Sequence, residues 1–502
     1  MTQVGTLKVR INNHRFLFFP LLAFVIPFVV RTIPEIIMGT YAVGFDTLGF
    51  YIPNTMAWLH NGINLGGFLE TAPLFYAIYI STVAIAGSPV LILKIISPLL
   101  LGFLGLSIFE YAQKGLNWSL AKSTFIAFLG TVYFVALRAS WDQLREELGL
   151  VFLFVVFTLL LFNRKDSSWK HYLTLSLGII AVVLSHQLVS VLMFGVIVVT
   201  VANFSLRKDF IRSAKLVLVS LPGALYFVIV YLTTQTNILG YSINSSPLAS
   251  WTGFNSYQSM LTSVGGFFMY CFLPILPLII IGLWRFSNLQ LKSWLLLSLI
   301  LVLLPLSSVS PYRWVLLLTY PLAFCATECI SRLNSIKWKR LRFAVSKIAI
   351  IYLILSTAVL SFGFIFVDSE KPFFYFNGDH NKYLYQIPSS MLQNTIPITD
   401  CQNTVTALQW FKNNVNNSAL LLAHTVFDGW ALLTLNENQV KSYGFDDPTK
   451  AADRVAQDGY TQIYLIWWIK GQGWYAQPTL PSSFHEVYSS GKIAIYSFSS
   501  TS

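Results

Sequence analysis

The folding of this chain is constrained most by a series of apolar runs, each roughly 17 to 25 residues long, separated by short charged segments. A helix of about 20 apolar residues crosses the hydrocarbon core of a bilayer, so these runs predict membrane-spanning helices. We count eleven of them, at residues 15–33, 89–109, 122–138, 147–163, 171–186, 187–204, 214–232, 258–283, 292–309, 312–331 and 344–367. The fold class predicted is therefore a polytopic α-helical membrane protein.

Composition and charge distribution agree with this prediction. Only 11% of the residues are charged, whereas soluble proteins carry roughly 25%. The net charge of +12 would suit nucleic acid binding if it were concentrated on a soluble domain. Instead, residues 1–365 hold 25 Lys and Arg against 10 Asp and Glu, and residues 366–502 hold 8 against 11. The excess lies in short loops between apolar runs, where it sets topology, so we expect membrane lipids as partners and no nucleic acid.

The basic residues also predict the orientation. If the N-terminus is cytoplasmic, 20 of the 33 basic residues lie on the inner side and five lie in outer loops or the adjoining ends of spans. The apolar segment from Pro73 to Val83 is too short to cross, and a crossing there would invert every later loop. We therefore expect a multi-pass protein of the plasma membrane, with a cytoplasmic N-terminus and an extracytoplasmic C-terminal domain.

Residues 34–88 form a long first outer loop, predicted to lie along the membrane surface with interfacial helices. The loop contains three acids, Glu35, Asp46 and Glu70. Asp46 is flanked by Phe45 and Leu48 near the bilayer, where a carboxylate is costly unless it is used, although a role as a turn or helix N-cap is the alternative. Glu70 either caps the helix that begins at Pro73 or contacts substrate.

Charged and polar residues also occur where other spans meet the predicted outer face. Several cations at the ends of separate spans suit a phosphate site, although snorkelling accounts for any single one. Asp142 has a second interpretation as the cap of the next span, with Glu146 and Glu147 in its first turn. His186 has a second interpretation as a turn histidine with satisfied hydrogen bonds. The candidates for substrate binding are Glu70, Lys94, Arg138, Asp142, His186 and Arg313.

These residues resemble a pattern in the GT-C superfamily of integral membrane glycosyltransferases. That superfamily includes protein O-mannosyltransferases, aminoarabinose transferases of lipid A and oligosaccharyltransferases. Its pattern is an acid in a long first outer loop, a proline-containing helix start, a glycine and a basic residue opening the next span. Here these features are Asp46, Ala72-Pro73-Leu74, Gly87 and Lys94. The O-mannosyltransferases and aminoarabinose transferases tend to have two prolines where this chain has Ala72-Pro73.

The resemblance implies transfer of a sugar from a polyprenyl-phosphate-linked donor to a hydroxyl of a protein, lipid or glycan acceptor on the outer face. Asp46 would be the general base, and the transfer would invert the anomeric centre. Lys94, Arg138 and Arg313 would hold the lipid phosphate, and Asp142 would orient the acceptor or hold a metal. No cofactor is required by the pattern, and a divalent cation, Mg²⁺ or Mn²⁺, is left open.

Residues 366–502 have the composition of a soluble domain, distinct from the transmembrane domain of residues 1–365. Helices are expected at 404–415 and 448–458, and strands at 418–424, 461–468, 484–489 and 492–498. This alternation predicts a small α/β domain with a mostly parallel sheet. We expect a role in acceptor or glycan recognition.

Two other functions are compatible with a polytopic chain of this kind. A lipid-linked glycan flippase or transporter should place ionisable residues at mid-bilayer and often contains internal repeats. A glycan polymerase or ligase would use the same class of lipid-linked donor. The soluble C-terminal domain and the acid in the first outer loop favour the glycosyltransferase.

Overall fold

The computed structural model describes residues 3–44, 47–162, 168–232, 256–284, 286–303, 311–333, 339–368, 370–387, 392–393, 395–444, 447–470 and 480–499. The contacts among residues divide the chain into two compact units. The membrane unit comprises Met1–Thr32, Ile63–Ala86 and Ile95–Ser361. The C-terminal unit comprises Ile33–Gly62, Gly87–Lys94 and Phe362–Ser502, and so includes residues from the first outer loop.

Helices account for most of the described residues up to position 365. They are α1 Gln3–Ile37, α2 Ile52–Asn61, α3 Leu65–Glu70, α4 Pro73–Ala86, α5 Pro89–Glu110, α6 Leu120–Val132, α7 Phe134–Asp142, α8 Leu144–Leu161, α9 Trp169–Ser185, α10 Gln187–Leu206, α11 Phe210–Tyr226, α12 Tyr257–Phe272, α13 Leu276–Leu283, α14 Leu289–Leu303, α15 Pro311–Leu317, α16 Thr319–Leu333 and α17 Lys339–Ile365. Short π-helical segments occur at Thr47–Tyr51, Tyr111–Gly115 and Phe227–Leu232. The polytopic helical class predicted from the sequence is confirmed at this level.

Among the described residues, six helical stretches are long and apolar enough to cross a membrane, and two bent helix pairs bring the number to eight if each pair is one span. The six are Leu17–Ile37, Pro89–Gly115, Gln187–Leu206, Phe210–Tyr231, Pro311–Ile330 and Val345–Ile365. Shorter apolar helices occur at Pro73–Ala86, Trp169–Ser185 and Leu289–Leu303. The structure therefore supports a membrane protein with multiple spans.

Two of the predicted spans are not straight helices. The run at 258–283 consists of α12 and α13, which meet at an angle of 93°. Pro274 lies in the break, where its ring removes a backbone donor and disfavours helix at the preceding residue. The run at 122–138 bends by 57° between α6 and α7 at Tyr133, whose hydroxyl donates to the Cys271 carbonyl at 2.7 Å. This second break contains no proline, so the sequence analysis treated the run as one straight span.

The core of the membrane unit contains a cluster of aromatic side chains from α8, α14 and α16. Phe154 lies 5.7 Å from Trp294, 6.0 Å from Tyr320 and 6.1 Å from Phe324, measured between ring centroids. In lipid, such packing contributes through van der Waals contact and close helix approach, since the lipid tails are equally apolar. Helices α13 and α16 approach especially closely at Gly282, where a Cβ would lie 1.8 Å from the Cys325 carbonyl oxygen of α16.

The turn that joins α3 to α4 is held by side chains from three later elements. The carbonyls of residues 69, 70 and 71 accept hydrogen bonds from Tyr226 Oη at 3.0 Å, Gln187 Nε2 at 3.0 Å and Arg145 Nη1 at 2.5 Å. These donors satisfy carbonyls that a helix C-terminus leaves unpaired. Ala72 then adopts a φ of +59° and is fully buried. This backbone conformation turns the chain sharply into α4, which packs against α8 and α9.

The C-terminal unit contains a five-stranded sheet with the strand order β2-β1-β3-β5-β4. Its strands are β1 Leu420–His424, β2 Val440–Gly444, β3 Ile463–Trp468, β4 Phe484–Ser490 and β5 Ile493–Phe498. The helices of the unit beyond α17 are α18 Gly378–Tyr385, α19 Cys401–Asn414, α20 Thr425–Thr434 and α21 Pro448–Gln457. The sequence analysis missed β2 and α20.

The sheet is mixed, so the expected mostly parallel arrangement is wrong. Strand β1 is parallel to β2 and β3, whereas β5 is antiparallel to both β3 and β4. The link between β4 and β5 is only Gly491-Lys492, with Gly491 at a φ of +58°. A link this short permits a hairpin and is too short for the crossover that parallel strands need.

Helix α20 packs against the π-helical segment Thr47–Tyr51 of the same unit. The approach is close enough to require a glycine, since a Cβ at Gly429 would lie 2.7 Å from Leu48 Cβ and 3.1 Å from the Gly49 nitrogen. The C-terminal unit therefore fixes the backbone that follows Asp46, although Asp46 itself lies outside the described residues.

The Ala72 conformation predicts opposite results for two substitutions. Ala72→Pro should lower the free energy of unfolding by about 3 kcal/mol or more, because proline fixes φ near −65° and cannot adopt +59°. Ala72→Gly should stay within about 1 kcal/mol of the wild type, since the relief of the backbone strain offsets the loss of a buried methyl group. Thermal unfolding of the detergent-solubilised protein measures both effects. Equal melting temperatures for the two variants would contradict the conformation.

A buried histidine and a half-buried aspartate of the C-terminal unit predict opposite pH dependences of stability. Burial raises the pKa of Asp428 from 3.8 to about 6, so its contribution to stability falls as the pH rises from about 4 to 6. Burial lowers the pKa of His424 from 6.5 to about 4, so its contribution rises across about pH 4 to 6.5. The two contributions largely cancel in the wild type.

Asp428→Asn removes one of these contributions. The stability of this variant relative to wild type should increase by about 2 to 3 kcal/mol between pH 4 and pH 7, because only the histidine contribution remains. Denaturation of the C-terminal unit in the full-length protein, followed by tryptophan fluorescence, measures the difference. Asp453→Asn, at an exposed position on α21, is the matched control and should leave the pH profile unchanged. A parallel shift of the Asp428→Asn curve at all pH values would contradict the prediction.

Candidate functional site

The corner between α7 and α8 places a group of charged residues in the interior of the membrane unit. Helix α7 ends at Asp142 and α8 begins at Leu144, with Gln143 between them at φ −108° and ψ 51°. The sequence analysis allowed Asp142 as the cap of α8, but Gln143 occupies the cap position and makes no side-chain capping bond. Arg138, Asp142, Glu146 and Glu147 are all buried.

Helix α1 contributes a further cation to this corner. Arg31 is fully buried, and its Nε donates to the Ser140 carbonyl of α7 at 3.3 Å. The charges that act on Glu147 are those of Arg31 and Glu146. Burial is the larger influence on Glu147, and the charge of Arg31 offsets only part of it. The sequence offered one sign of this role, a lone arginine near the end of an apolar run, and the sequence analysis did not use it.

His186 lies in the turn between α9 and α10, as the sequence predicted. The side chain is buried, and Nε2 lies 4.0 Å from Glu146 Oε2. Arg145 and Arg313 are the cations whose charges act on it. Four predicted binding residues therefore belong to the same charged region. Arg138 and Asp142 on α7 precede Arg145 and Glu146, and the charge of Arg313 on α15 acts on His186.

We use the name Gln143–Glu147 pocket for a narrow gap at this corner, which has no room for a water molecule. Its lining residues are Ala136, Ala139, Ser140, Gln143, Glu146, Glu147, Leu150 and Tyr320. Gln143 and Glu147 are four residues apart on α8 and its cap, so they share one helix face. Both oxygens of Glu147 and the Gln143 Oε1 have no hydrogen-bond partner within the described part of the chain. The pocket is therefore lined by acceptors that require donors.

Two predicted residues have structural partners elsewhere. Lys94 belongs to the C-terminal unit. Its ammonium donates hydrogen bonds to the Glu35 carbonyl and, at 2.7 Å, to the Tyr41 carbonyl. The same ammonium lies 3.5 Å from the Glu35 carboxylate. A phosphate would compete with these acceptors for Lys94. Glu70 ends α3, and its carbonyl accepts from Gln187 Nε2, while Arg145 holds the next residue. The predicted binding roles of Lys94 and Glu70 remain predictions.

The described residues contain no group of three or more His, Cys, Asp or Glu side chains arranged as metal ligands. The acids at the corner are accompanied by arginines, which disfavour a divalent cation at the same place. The residues described here thus do not fit the Mg²⁺ or Mn²⁺ site left open by the sequence, and no step below uses a metal.

The arrangement combines buried arginines with buried carboxyl groups in surroundings that exclude most water. Guanidinium groups bind phosphate oxygens through paired hydrogen bonds, and such bonds are stronger away from water. Carboxylate and amide oxygens accept hydrogen bonds from hydroxyl groups. The corner therefore combines groups that bind anions with groups that accept hydrogen bonds from hydroxyls. Comparison with protein-family models and with curated protein sequences gives no match for this chain.

Arg31 and Glu147 should be coupled energetically. Arg31→Met should destabilise the membrane unit by about 1 to 3 kcal/mol, because it leaves the Ser140 carbonyl without its donor and removes the positive charge that acts on Glu147. The double variant Arg31→Met with Glu147→Gln should recover part of this loss, and thermal unfolding in detergent measures it. Arg207→Met, at an exposed position, is the control. If the double variant loses the sum of both single effects, the two residues are not coupled.

Proposed function

We propose that this protein is a multi-pass membrane glycosyltransferase that moves a sugar from a polyprenyl-phosphate-linked donor to a hydroxyl of a protein, lipid or glycan on the outer face. The observation that carries the proposal is the group of buried arginines beside buried acids at the α7–α8 corner. Arg31 and Arg138 are buried there, and the charges of Arg145 and Arg313 act on the neighbouring His186.

The chemistry of such a transfer matches this inventory. A polyprenyl phosphate leaves as an anion without needing a proton, so fixed cations stabilise the departing charge. One base is enough to take the proton of the acceptor hydroxyl, and the GT-C resemblance assigns that role to Asp46. Attack on the face opposite the leaving group inverts the anomeric centre. We assign phosphate binding to Arg138, Arg145 and Arg313, with Lys94 as a further candidate.

The proposed topology has eleven spans, a cytoplasmic N-terminus and an extracytoplasmic C-terminal domain in the plasma membrane. Six long helices and two bent pairs support up to eight of these spans among the described residues, and the proposal adds α8, α9 and α14. Helix α4 is left out because a crossing there would invert every later loop. The distribution of basic residues supports the orientation.

A lipid-linked glycan flippase is the second candidate. The observation that favours it is the pair of bends, of 57° between α6 and α7 and 93° between α12 and α13. Discontinuous helices form the substrate sites of many transporters. A glycan polymerase or ligase would share the donor and differ in the acceptor.

Transfer from radiolabelled polyprenyl-phosphate sugars in membranes tests the proposal. The wild type should label an acceptor, and Asp46→Asn should reduce transfer by about 100-fold or more, because an amide cannot take the acceptor proton. Glu110→Gln is the control, since Glu110 pairs with Lys114 at the far end of α5 and has no proposed role. Full activity of Asp46→Asn would exclude Asp46 as the base.

A second measurement separates the enzyme from the flippase. Purified protein in sealed proteoliposomes that also contain a membrane extract as the source of acceptor should consume the lipid-linked donor, release polyprenyl phosphate and transfer the sugar to the acceptor. Movement of an intact lipid-linked sugar across the bilayer, without its consumption, would support the flippase and contradict the transferase.

A further inference from the structure

The C-terminal unit contains, among the residues that the structure describes, one end of each of three candidate membrane spans. The candidate spans Leu17–Ile37 and Val345–Ile365 end within this unit, and Pro89–Gly115 begins within it. A span ends where the hydrocarbon core gives way to the headgroup layer of the bilayer. The chain that follows α17 therefore starts at headgroup depth.

Four consecutive aromatic residues, 373–376, fold back against the end of α17. A Cβ at Gly363 would lie 3.1 Å from Phe373 Cδ1 and 3.1 Å from Phe376 Cε2, so both rings pack on the last turn of the helix. Gly363 precedes the end of the candidate span by two residues, which is about 3 Å along the helix axis. The two rings therefore lie at the depth at which the span ends.

The outer side of this turn is aromatic and exposed. Phe374 is 67% exposed, and its ring centroid lies 4.6 Å from that of Phe373, which is itself exposed. Phe362 and Phe366, at the end of α17, are also exposed, and their ring centroids are 4.6 Å apart. Contiguous exposed apolar side chains of this size mark an interaction site on a protein or a membrane. We use the name aromatic surface for Phe362, Phe366, Phe373 and Phe374.

Helix α18 adds further exposed side chains next to this turn. Asn381 is buried, and its Nδ2 donates to the Tyr375 carbonyl at 2.8 Å, which holds α18 against the aromatic residues. On the same helix, Tyr383 is 89% exposed and Leu384 is also exposed. A tyrosine ring has an apolar body and a polar hydroxyl, so it suits the boundary between lipid and water.

We propose that the aromatic surface inserts into the headgroup layer and anchors the C-terminal unit to the bilayer beside α17, with Tyr383 at the water boundary. The partner that covers this surface is lipid. The inference requires only that α17 spans a membrane, so it goes beyond the proposed function and holds equally for a transferase and for a flippase.

The exposed face of α17 argues for lipid as the partner. Ile351, Leu355, Val359 and Phe362 are exposed at spacings of three to four residues, so they lie on one face of the helix. An exposed apolar face on a membrane span contacts lipid. Phe362 is the last residue of this face and the first of the aromatic surface, so the two surfaces are continuous. Aromatic side chains are also the residues enriched where a span meets the headgroups.

Nitroxide labels on single introduced cysteines measure the depth of this surface. All four native cysteines are buried, so a thiol reagent should label mainly an introduced one. Full-length Phe374→Cys in phosphatidylcholine nanodiscs is labelled, and its accessibility to oxygen is compared with its accessibility to a nickel chelate. Oxygen concentrates in lipid, whereas the polar chelate stays in water. The ratio of oxygen to nickel accessibility should be at least about threefold higher at position 374 than at an aqueous site.

Three further labels make the measurement decisive. Val487→Cys is the matched aqueous control, because Val487 is an exposed apolar residue on β4 of the same unit. Phe362→Cys is the lipid reference, because it lies within a candidate span. Tyr383→Cys replaces Phe374→Cys if that variant folds poorly, and its ratio should lie between those of the lipid reference and the aqueous control.

Two outcomes overturn the inference. A ratio at position 374 equal to that of Val487→Cys means that the aromatic surface faces water. Low accessibility to both oxygen and nickel means that protein covers it, and dipolar broadening between labels then identifies the cover as a second copy of the chain. Neither outcome changes the result expected for sugar transfer, so the inference and the proposed function fail separately.

Discussion

The burial of charge at the α7–α8 corner is the interaction on which the rest of the membrane unit depends. Glu147 and Arg31 come from helices that are distant in the sequence, and the charge of Arg31 offsets part of the cost of burying Glu147. Burying a carboxyl group is costly, so the approach of α1 to this corner lowers the cost of folding the unit. The hydrogen bond from Arg31 to the Ser140 carbonyl adds a directional constraint to the electrostatic one.

Arg145, which lies at the same corner, also helps to hold the turn between α3 and α4. Arg145 stands one residue before the buried acids and donates to the carbonyl of Thr71, while Gln187 and Tyr226 hold the two preceding carbonyls. These bonds fix the turn at which Ala72 adopts its positive φ. The direction in which α4 leaves the turn is therefore set by side chains from α8, α10 and α11. A local backbone conformation is stabilised here by distant residues.

The sequence predicted the structural features that depend on length and composition, and it missed those that depend on tertiary contacts. Apolar runs such as 187–204 and 344–367 were recognised because a bilayer demands about 20 apolar residues. The bend at Tyr133 was missed because no proline or glycine accompanies it. Glu147 was interpreted as an ordinary first-turn acid, which is its usual role and also its position in α8. Its burial depends on α1 and on Tyr320, and no periodicity within α8 encodes those neighbours.

The C-terminal unit contains the residues on both sides of Asp46, the residue proposed as the base, and its contacts hold them in place. Gly429 of α20 has no side chain, and the Thr47–Tyr51 segment approaches so closely that a Cβ at position 429 would clash with it. Lys94 joins Glu35 and Tyr41 of the same loop. Both ends of the stretch that contains Asp46 are thus attached to a folded scaffold. A general base must lie within hydrogen-bond distance of the proton that it removes. A loop that is fixed at both ends loses less conformational entropy on reaching that geometry than a free loop does.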